Sequence, residues 1–380
     1  MKNPFFFGKE VSGDAFTDRK SELKELISDI EQGINVILYS PRRYGKTSLI
    51  KKTIGTIKNR GILTFYIDLF PMTTFNDFVK IFAEAISNLE PSSRLKIFIK
   101  TLGKILPKLI PKIILKPHGD AEISFDLERL FKEKEEVLDD LLEAIPKLAK
   151  SRKKLALVVF DEFQEISKLE EADKLERIIR SHIQKHQSVS YVFLGSKRHL
   201  MQGMFKDKNR PLYNCGRHFP LLKIPSQDFL SFIKNNFFKT GIKVKEEEIG
   251  KILNITECHP YYTQLFCHIL WDNCHERGDV NLKDIDNTLE QLIMEEDSSY
   301  SAIWEDLSSV QRTLVKALAY DEILSLFSQA FLQKYALKSV SALQKAIKTL
   351  EKKEIIERAN GHYTLSDLFF KKWINRRIGR

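Results

Sequence analysis

The sequence predicts an α/β domain with a parallel sheet, followed by an all-helical segment and a small domain of three helices and a β-hairpin. Over residues 1–225, apolar runs typical of buried strands alternate with amphipathic helical patterns. From residue 226 to 298 the apolar spacing is helical throughout. Residues 299–380 contain three further helical patterns and an Asn-Gly turn between two short strand-like segments. We therefore expect three domains, at 1–225, 226–298 and 299–380, with an insertion at about 90–150 in the first.

The composition favours anionic partners and argues against a membrane-spanning protein. The 380 residues include 61 Lys and Arg against 51 Asp and Glu, a net charge of +10. Such a surplus suits nucleotides, nucleic acids or acidic membrane surfaces without choosing among them. Every uncharged apolar run is shorter than the ~18 residues that a transmembrane helix needs. The chain has only four Cys, and its start shows a short aromatic run rather than the pattern of a secretory segment. Both observations fit a reducing compartment, so we expect a cytoplasmic protein.

The strongest motif joins an apolar strand to a helix through a turn. The apolar run at 36–39 ends in this turn, and Gly45-Lys46-Thr47 opens the helix. Backbone N–H groups of such a loop, together with the helix dipole, bind phosphate. We expect Lys46 to reach the outer phosphates of a nucleotide and the Thr47 hydroxyl to ligate Mg²⁺. Ser40 stands where the pattern usually has glycine, a replacement that a small residue allows. The predicted binding residues of this phosphate loop are Ser40, Pro41, Arg42, Arg43, Tyr44, Gly45, Lys46, Thr47 and Ser48.

Two adjacent carboxylates follow a second apolar run about a hundred residues later. At the carboxyl end of a parallel strand, where ligands bind, Asp161 would hold Mg²⁺ and Glu162 would polarise the attacking water. An acidic cap after a core strand is the alternative. Ser196 ends a third apolar run and is predicted either to contact the γ-phosphate or the water, or to cap the following helix. We expect a basic loop at 197–218 and a last strand at 219–225, limited to an edge or end by Pro.

Residues 90–150 are predicted to be an insertion. The stretch 94–116 mixes apolar residues with six Lys, and two prolines interrupt its helical pattern. It predicts either a basic patch for a membrane or nucleic acid, or a helical arm with its apolar side on the domain. A β-hairpin is predicted around 115–125, and a helix over 127–144 that stops before Pro146.

Three Cys-His pairs, at 258–259, 267–268 and 274–275, lie in the helical segment. A metal site is one interpretation, but the close ligand pairs of a zinc module are missing. Buried cysteines that act as small apolar residues are the interpretation that we favour. The segment as a whole suits a lid over a nucleotide.

The last 80 residues predict a winged helix. Its third helix, 339–352, has apolar residues on one face and polar residues on the other. Residues 300–380 carry a surplus of six positive charges, mostly in the last ten residues, which suits DNA. Winged helices also serve in protein packing, so DNA and protein both stay open as partners. The predicted DNA contacts are Ser341, Gln344, Lys345, Lys348 and His362.

Together these motifs resemble those of a AAA+ P-loop ATPase of the STAND kind, close to the ATPase family found mostly in archaea and also in bacteria. The resemblance covers nearly the whole chain. The residues that carry it are Phe16-x-x-Arg19-x-x-Glu22-Leu23, the loop at 40–48, Val158-Val159-Phe160-Asp161-Glu162-Phe163-Gln164, Phe193-Leu194-Gly195-Ser196, Arg210-Pro211-Leu212-Tyr213 with Arg217, and His259-Pro260-Tyr261-Tyr262.

The resemblance implies an ATPase that binds ATP, ADP and Mg²⁺. It implies that His259 and Pro260 approach the phosphates, and that either Arg210 or Arg217 stands where related ATPases carry an arginine finger. The expected function is a slow, ATP-driven switch whose lid and winged helix change their affinity for a partner with nucleotide state. The alternatives are a DNA-binding initiator or mobile-element helper, and a nucleotide-bound scaffold that does not hydrolyse. Self-association stays open.

Overall fold

The chain divides into two compact units, one of residues 10–223 and the other of residues 1–9 and 224–380. We call them the core unit and the C-terminal unit. The computed structural model describes residues 2–8, 19–87, 89, 111–115, 121–125, 133–320, 325–337, 339–359 and 361–379, with 111–115 and 121–125 described by their backbone alone. Within these residues, no helix is long and apolar enough to cross a membrane.

The core unit is built on a five-stranded parallel sheet, which confirms the predicted α/β class. The strands are β1 Val36–Tyr39, β2 Leu63–Asp68, β3 Pro111–Leu115, β4 Ala121–Phe125, β5 Ala156–Asp161, β6 Val189–Gly195 and β7 Arg217–Pro220. The sheet has the strand order β2-β5-β6-β1-β7, and β3 and β4 form a separate antiparallel hairpin. The helices are α1 Lys20–Glu31, α2 Lys46–Asn59, α3 Phe75–Ser87, α4 Lys134–Ser151, α5 Ala172–Ile183 and α6 Arg198–Lys206, with a 3₁₀ turn at Phe163–Lys168.

Alternate residues along the central strands pack into two different apolar clusters, one on each face of the sheet. Val159 and Val192 belong to the cluster that includes α1 and α2. Val158, Phe160 and Phe193 belong to the cluster that includes α3, α4 and α5. Because successive strand residues point to opposite faces, apolar runs with no polar alternation require cover on both sides. The strand ends are thereby fixed at one edge of a rigid sheet.

Three predictions for the core unit are wrong. α4 continues through Pro146 to Ser151, because Ile145 and Leu148 on either side of the proline are fully buried and their packing outweighs the cost of ~3 kcal/mol that proline imposes on a helix. The stretch 197–218 is not only a loop, because α6 places Met201, Met204 and Phe205 in the core. The last strand is at Arg217–Pro220, earlier than the predicted 219–225.

The C-terminal unit contains the helical segment and the winged helix. Its elements are α7 Ser226–Lys239, α8 Glu246–Thr256, α9 Pro260–Cys274, α10 Leu282–Glu295, α11 Asp297–Glu305, α12 Ser309–Tyr320, α13 Gln329–Lys334, α14 Val340–Lys352, β8 Ile356–Ala359, β9 His362–Leu365, α15 Leu368–Trp373 and a π-helical turn at Ile374–Ile378. The Ser339 hydroxyl accepts from the Ala342 N–H at 3.2 Å and caps α14.

A single apolar cluster runs through the C-terminal unit. Phe266 and Leu292 of the helical segment share this cluster with Leu350 and Phe369 of the winged helix. Phe5, near the start of the chain, is fully buried in the same cluster, and its backbone carbonyl lies 2.6 Å from Nδ1 of His268. The helical segment and the winged helix are therefore held together by one continuous core.

Several predictions fall on residues outside the described ranges. They concern residues 94–110 of the basic stretch 94–116, the tip of the hairpin at 116–120, the first part of the helix predicted from 127, and Asn360 of the Asn-Gly turn. The hairpin itself is confirmed, with Ile113 opposite Ile123 in an antiparallel register. Gly361 of the second turn has a φ of +88°, the left-handed conformation that this turn requires.

Candidate nucleotide site

Three adjacent strands of the core unit end at one edge of the sheet, and each end carries a predicted site residue. Asp161 is the last residue of β5, while Ser196 and Ser40 directly follow β6 and β1. The Ser40 N–H donates to the Gly195 carbonyl at 3.4 Å and ties two of these ends together. Since the carboxyl ends of parallel strands are where α/β proteins bind ligands, this edge is the candidate site.

The phosphate loop between β1 and α2 contains two residues with positive φ. Gly45 has a φ of +87° and Arg43 a φ of +64°. A residue with a Cβ is strained in the conformation of Gly45, so glycine is needed there. Gly45 also has no side chain to accept from the first N–H groups of α2, which leaves those groups for an anion. Arg42 and Arg43 are exposed, Lys46 is buried, and Pro41, Tyr44, Gly45, Thr47 and Ser48 are intermediate.

The Lys46 ammonium is folded onto the loop that it follows. It donates to the carbonyl oxygens of Ser40 and Pro41, each at 2.9 Å, and lies 3.3 Å from the Ser40 hydroxyl. Both Lys46 and Ser40 are buried. The serine at the usual glycine position therefore has a contact of its own, which the sequence did not indicate. A buried ammonium inside a loop of N–H donors suits a phosphate, although its binding of nucleotide stays a prediction.

Asp161 lies opposite the start of α2 and is 5% exposed. Its Oδ2 accepts from the Tyr66 hydroxyl and lies 3.4 Å from the Thr47 hydroxyl, while Oδ1 accepts from the Glu162 N–H at 2.9 Å. Burial raises the pKa of the Asp161 carboxyl, the Tyr66 hydrogen bond opposes this rise, and the neighbouring Glu162 adds to it. Tyr66 was not predicted from the sequence, because its role depends on the pairing of β2 with β5.

The Asp161 carboxylate and the Thr47 hydroxyl are chemically suited to Mg²⁺. Both are hard oxygen donors, and they approach each other from two different elements, β5 and α2. Mg²⁺ is commonly held by one or two protein oxygens together with waters and substrate phosphates, so two donors suffice. The donor set therefore fits the ion, and the assignment of Thr47 and Asp161 as its ligands stays a prediction.

Glu162 is held by a small hydrogen-bond network of residues that follow the ends of β5 and β6. Its Oε2 accepts from the Ser196 hydroxyl at 2.7 Å and from the Gln164 amide. The Gln164 Oε1 in turn accepts from the Ser196 N–H at 3.3 Å. Ser196 therefore contacts the predicted base, and α6 begins without a side-chain cap, so the capping alternative for Ser196 is wrong. Gln164 is 1% exposed and was missed as a site residue.

Arg19 anchors the phosphate loop from behind and was also missed as a site residue. Its Nη2 donates to the carbonyls of Tyr44, at 3.2 Å, and Leu222, at 2.9 Å, while Nη1 forms an ion pair with Glu22 at 2.8 Å. The side chain is 3% exposed, and burial lowers its pKa. One buried guanidinium thus fixes the loop and the chain segment that follows β7. The sequence showed Arg19 only as part of a motif.

Arg210 and Arg217 both form ion pairs inside the core unit. Arg210 pairs with Glu176 of α5, whose side chain is fully buried. Arg217 pairs with Asp29 of α1 at 2.7 Å and with Glu25. Arg217 also begins β7 and lies beside Val36 in the register, so it is at the opposite end of the sheet from the phosphate loop of the same chain. A role of either arginine as a finger stays a prediction.

His259 and Pro260 form the start of α9 in the C-terminal unit. They follow two residues with positive φ, Glu257 at +49° and Cys258 at +53°, which make a sharp turn after α8. Pro260 occupies the first helical position, where its missing N–H costs nothing. The His259 ring lies 4.6 Å from the ring of Tyr262. The approach of His259 to a nucleotide stays a prediction.

The cysteines of the helical segment behave as apolar residues. Cys267 and Cys274 are buried free thiols, and burial raises the pKa of both, that of Cys274 to about 11. Across the residues that the structure describes, no cluster of His, Cys, Asp and Glu is arranged to hold a metal ion. These findings favour the packing interpretation over a metal site.

The outer face of α14 is exposed, but most of the charged tail is paired. The predicted DNA contacts Ser341, Gln344, Lys345, Lys348 and His362 are all exposed. The tail cations instead pair with carboxylates of the helical segment, Lys371 with Glu257 at 3.2 Å, Arg376 with Glu290, and Arg377 with Asp297 at 3.3 Å. These pairs offset much of the surplus that favoured DNA.

Comparisons with known proteins agree with this geometry. Residues 16–266 match the family described as an ATPase domain predominantly from Archaea, and residues 298–376 match a probable winged helix domain. None of the curated proteins matches the sequence significantly.

Two solved structures share the fold along the whole chain. A Walker-type ATPase of Pyrococcus abyssi is 17% identical, with 98% of this chain and 99% of that chain covered and a TM-score of 0.67. The ORC2 protein of Aeropyrum pernix, in complexes with ADPNP and ADP, is 12% identical, with 95% and 94% covered and a TM-score of 0.53. These likenesses show the fold alone. Because the family match spans more than half of the chain, the protein belongs to the ATPase family found predominantly in Archaea.

Proposed function

We propose that the protein is an ATP-driven switch, in which the phosphate loop binds Mg-ATP, Glu162 supports hydrolysis, and nucleotide state changes how the C-terminal unit binds a partner. The observation that carries the proposal is the convergence of Lys46, Asp161 and the Glu162–Ser196 pair at the ends of three adjacent strands. Membership in an ATPase family supports ATP binding and hydrolysis in general terms. Family membership does not imply a switch or a partner, and both are part of our proposal.

The roles of the residues follow from their positions. Lys46 and the N–H groups of α2 would bind the outer phosphates, with Thr47 and Asp161 on the metal side. When bound, Mg²⁺ would neutralise the charge that develops on the phosphates. Glu162 would accept the proton of the attacking water, and Ser196 would hold the Glu162 carboxylate in place. A carboxylate that is already hydrogen-bonded on one oxygen loses less freedom when the water arrives.

Contacts inside the C-terminal unit support the switch. The His259 turn is flanked by Glu257, which pairs with Lys371, and by Tyr262, whose ring lies 5.0 Å from that of Phe369. Lys371 and Phe369 both belong to α15 of the winged helix. A shift of the His259 turn that follows the loss of the γ-phosphate would therefore be transmitted directly to the winged helix.

Nucleotide binding is tested with Lys46→Ala against Lys52→Ala. Lys52 lies on the same helix and is exposed, so it serves as the matched control. We expect Lys46→Ala to lose measurable ATP and ADP binding in calorimetry, while Lys52→Ala binds like the parent. Equal binding by both variants would place the nucleotide elsewhere.

The switch is tested by hydrogen exchange of α15 in Glu162→Gln, which is expected to hold ATP without turnover. Exchange at 368–373 should differ between the ATP-bound and the ADP-bound protein. Identical exchange in both states would contradict transmission to the winged helix. Mass determination in both states shows whether self-association follows the nucleotide.

DNA is a second candidate for the partner, because the exposed face of α14 carries Lys345 and Lys348 opposite its buried residues. If this face contacts DNA phosphates, duplex affinity should fall with salt, and each Lys→Ala change should reduce the salt slope by about one. Control changes at Lys371 should not reduce the slope, because this cation is paired with Glu257. Absence of duplex binding at low salt would leave a protein as the partner.

The two candidate arginine fingers differ in how cleanly they can be tested. Arg210→Ala would leave the buried Glu176 carboxylate without its partner and destabilise the fold. Arg217 is 43% exposed and pairs with the exposed Glu25 and the buried Asp29, so Arg217→Ala should cost less stability than Arg210→Ala and should fold. Loss of turnover in Arg217→Ala that is restored by mixing with Lys46→Ala protein would support a finger acting between two chains. No restoration would argue against it.

A further inference from the structure

Tyr66 contacts the oxygen of Asp161 that faces the predicted metal. Tyr66 belongs to β2, which pairs with β5 in the register that places Asp68 beside Asp161. Its hydroxyl donates to Oδ2 of Asp161, and the Thr47 hydroxyl lies 3.4 Å from the same atom. Because the Thr47 hydroxyl is the other predicted metal ligand, Oδ2 is the oxygen of Asp161 that we take to face the metal.

The Asp161 carboxylate needs donors when no metal is near. It is 5% exposed, so water reaches it poorly, and an ionised carboxylate in such a place is unfavourable unless it is hydrogen-bonded. The Glu162 N–H satisfies Oδ1, and the Tyr66 hydroxyl satisfies Oδ2.

We propose that the Tyr66 hydroxyl substitutes for the metal on Asp161 in the metal-free protein and competes with it, so that Tyr66 sets the metal concentration at which the site fills. This inference rests on the proposed function, because it takes Asp161 as a metal-side residue. When the ion or its water shell engages Oδ2, the Tyr66 hydrogen bond has to be given up. Metal affinity is then lowered by the strength of that bond.

Tyr66→Phe tests the competition, because it removes the hydroxyl and keeps the ring. The ring also lies under the Lys51 ammonium at 5.5 Å, and phenylalanine retains that contact. The matched control is Tyr363→Phe, the same change on β9 of the C-terminal unit. Mn²⁺ binding is followed by electron paramagnetic resonance in the presence of saturating ADP, and the melting temperature of each variant is recorded.

We expect Tyr66→Phe to bind Mn²⁺ about tenfold more tightly than the parent, the factor lost with one hydrogen bond to a charged group. Tyr363→Phe should bind like the parent. Unchanged Mn²⁺ affinity in Tyr66→Phe, with or without a lower melting temperature, would reduce Tyr66 to a structural role and overturn the inference. Weaker binding would overturn it in the other direction, since Tyr66 would then support the metal.

The parent chain separates this inference from the proposed function. If the parent binds no Mn²⁺ beyond what ADP alone binds, the metal-side assignment of Asp161 fails, and the inference fails with it. If the parent binds Mn²⁺ and only the tenfold difference is missing, the proposed function stands and the inference alone is overturned.

Discussion

Replacing Arg19 by methionine should loosen the phosphate loop and destabilise the core unit. The Arg19 guanidinium donates to the carbonyls of Tyr44 and Leu222 at 3.2 and 2.9 Å and pairs with Glu22 at 2.8 Å. Methionine has a similar length and an unbranched chain but no donors. The variant therefore fills the space, but the carbonyl oxygens of Tyr44 and Leu222 lose their hydrogen-bond donor.

The magnitude follows from the hydrogen bonds. Bonds to a charged group contribute about 1.5–3 kcal/mol each. We take the lower end because burial lowers the pKa of Arg19, so its charge is held at some cost. Two bonds then give an expected loss of about 3 kcal/mol in the free energy of unfolding. If about a third of this loss acts through the Tyr44 carbonyl on the loop, ADP affinity drops about fivefold.

The assays are urea unfolding and calorimetric titration with ADP. Arg60→Met is the control, because Arg60 pairs with Glu31 at 2.6 Å while both side chains are more than a third exposed. It should change the free energy of unfolding by less than about 0.5 kcal/mol and leave ADP binding unchanged. An Arg19→Met protein that unfolds and binds ADP like the parent would refute the reasoning.

Two further predictions concern the buried Glu176 and the close packing at Gly195. Burial raises the pKa of Glu176 above its ordinary 4.5, so its contribution to stability is complete below about pH 4.5 and is lost as the pH rises through the raised pKa. The melting temperature of the parent relative to Glu176→Gln should therefore fall between pH 4 and pH 8, and a rise would contradict the sign. Gly195→Ala should lower ATP turnover, because its Cβ would lie 2.8 Å from Oε1 of Gln164 and closer still to Met201. Gly203→Ala, which meets nothing within 4 Å, should leave turnover unchanged.

The parts of the fold that the sequence predicted are those with local signals. Gly45, Lys46 and Thr47 identify the loop because glycine allows the left-handed turn found before α2, whose first N–H groups can bind an anion. The apolar run before Asp161 predicts a strand covered on both faces, and all six residues of β5 are buried. The winged helix was predictable from three helical patterns followed by two short strand-like segments with an Asn-Gly turn.

The residues that were missed act through contacts between distant parts of the chain. Tyr66 meets Asp161 only because β2 and β5 are neighbours in the sheet, and Gln164 meets Ser196 only because β5 and β6 are. The spacing of these residues in the sequence does not indicate either contact. The helix α6 was predicted as a loop because the stretch that contains it is rich in basic residues. The end of α4 was predicted too early because the burial of residues on both sides of Pro146 outweighs the cost of proline in a helix.

The most direct test of the account is ATP turnover by Glu162→Gln, with Glu170→Gln as the control. Glu170 is exposed and lies in the same stretch of chain, so its change tests the loss of a carboxylate away from the site. In the presence of Mg²⁺ we expect the parent and Glu170→Gln to release phosphate at the same rate. Glu162→Gln should bind ATP with parental affinity and release phosphate at least about a hundredfold more slowly. Phosphate release by Glu162→Gln at the parental rate would contradict the account.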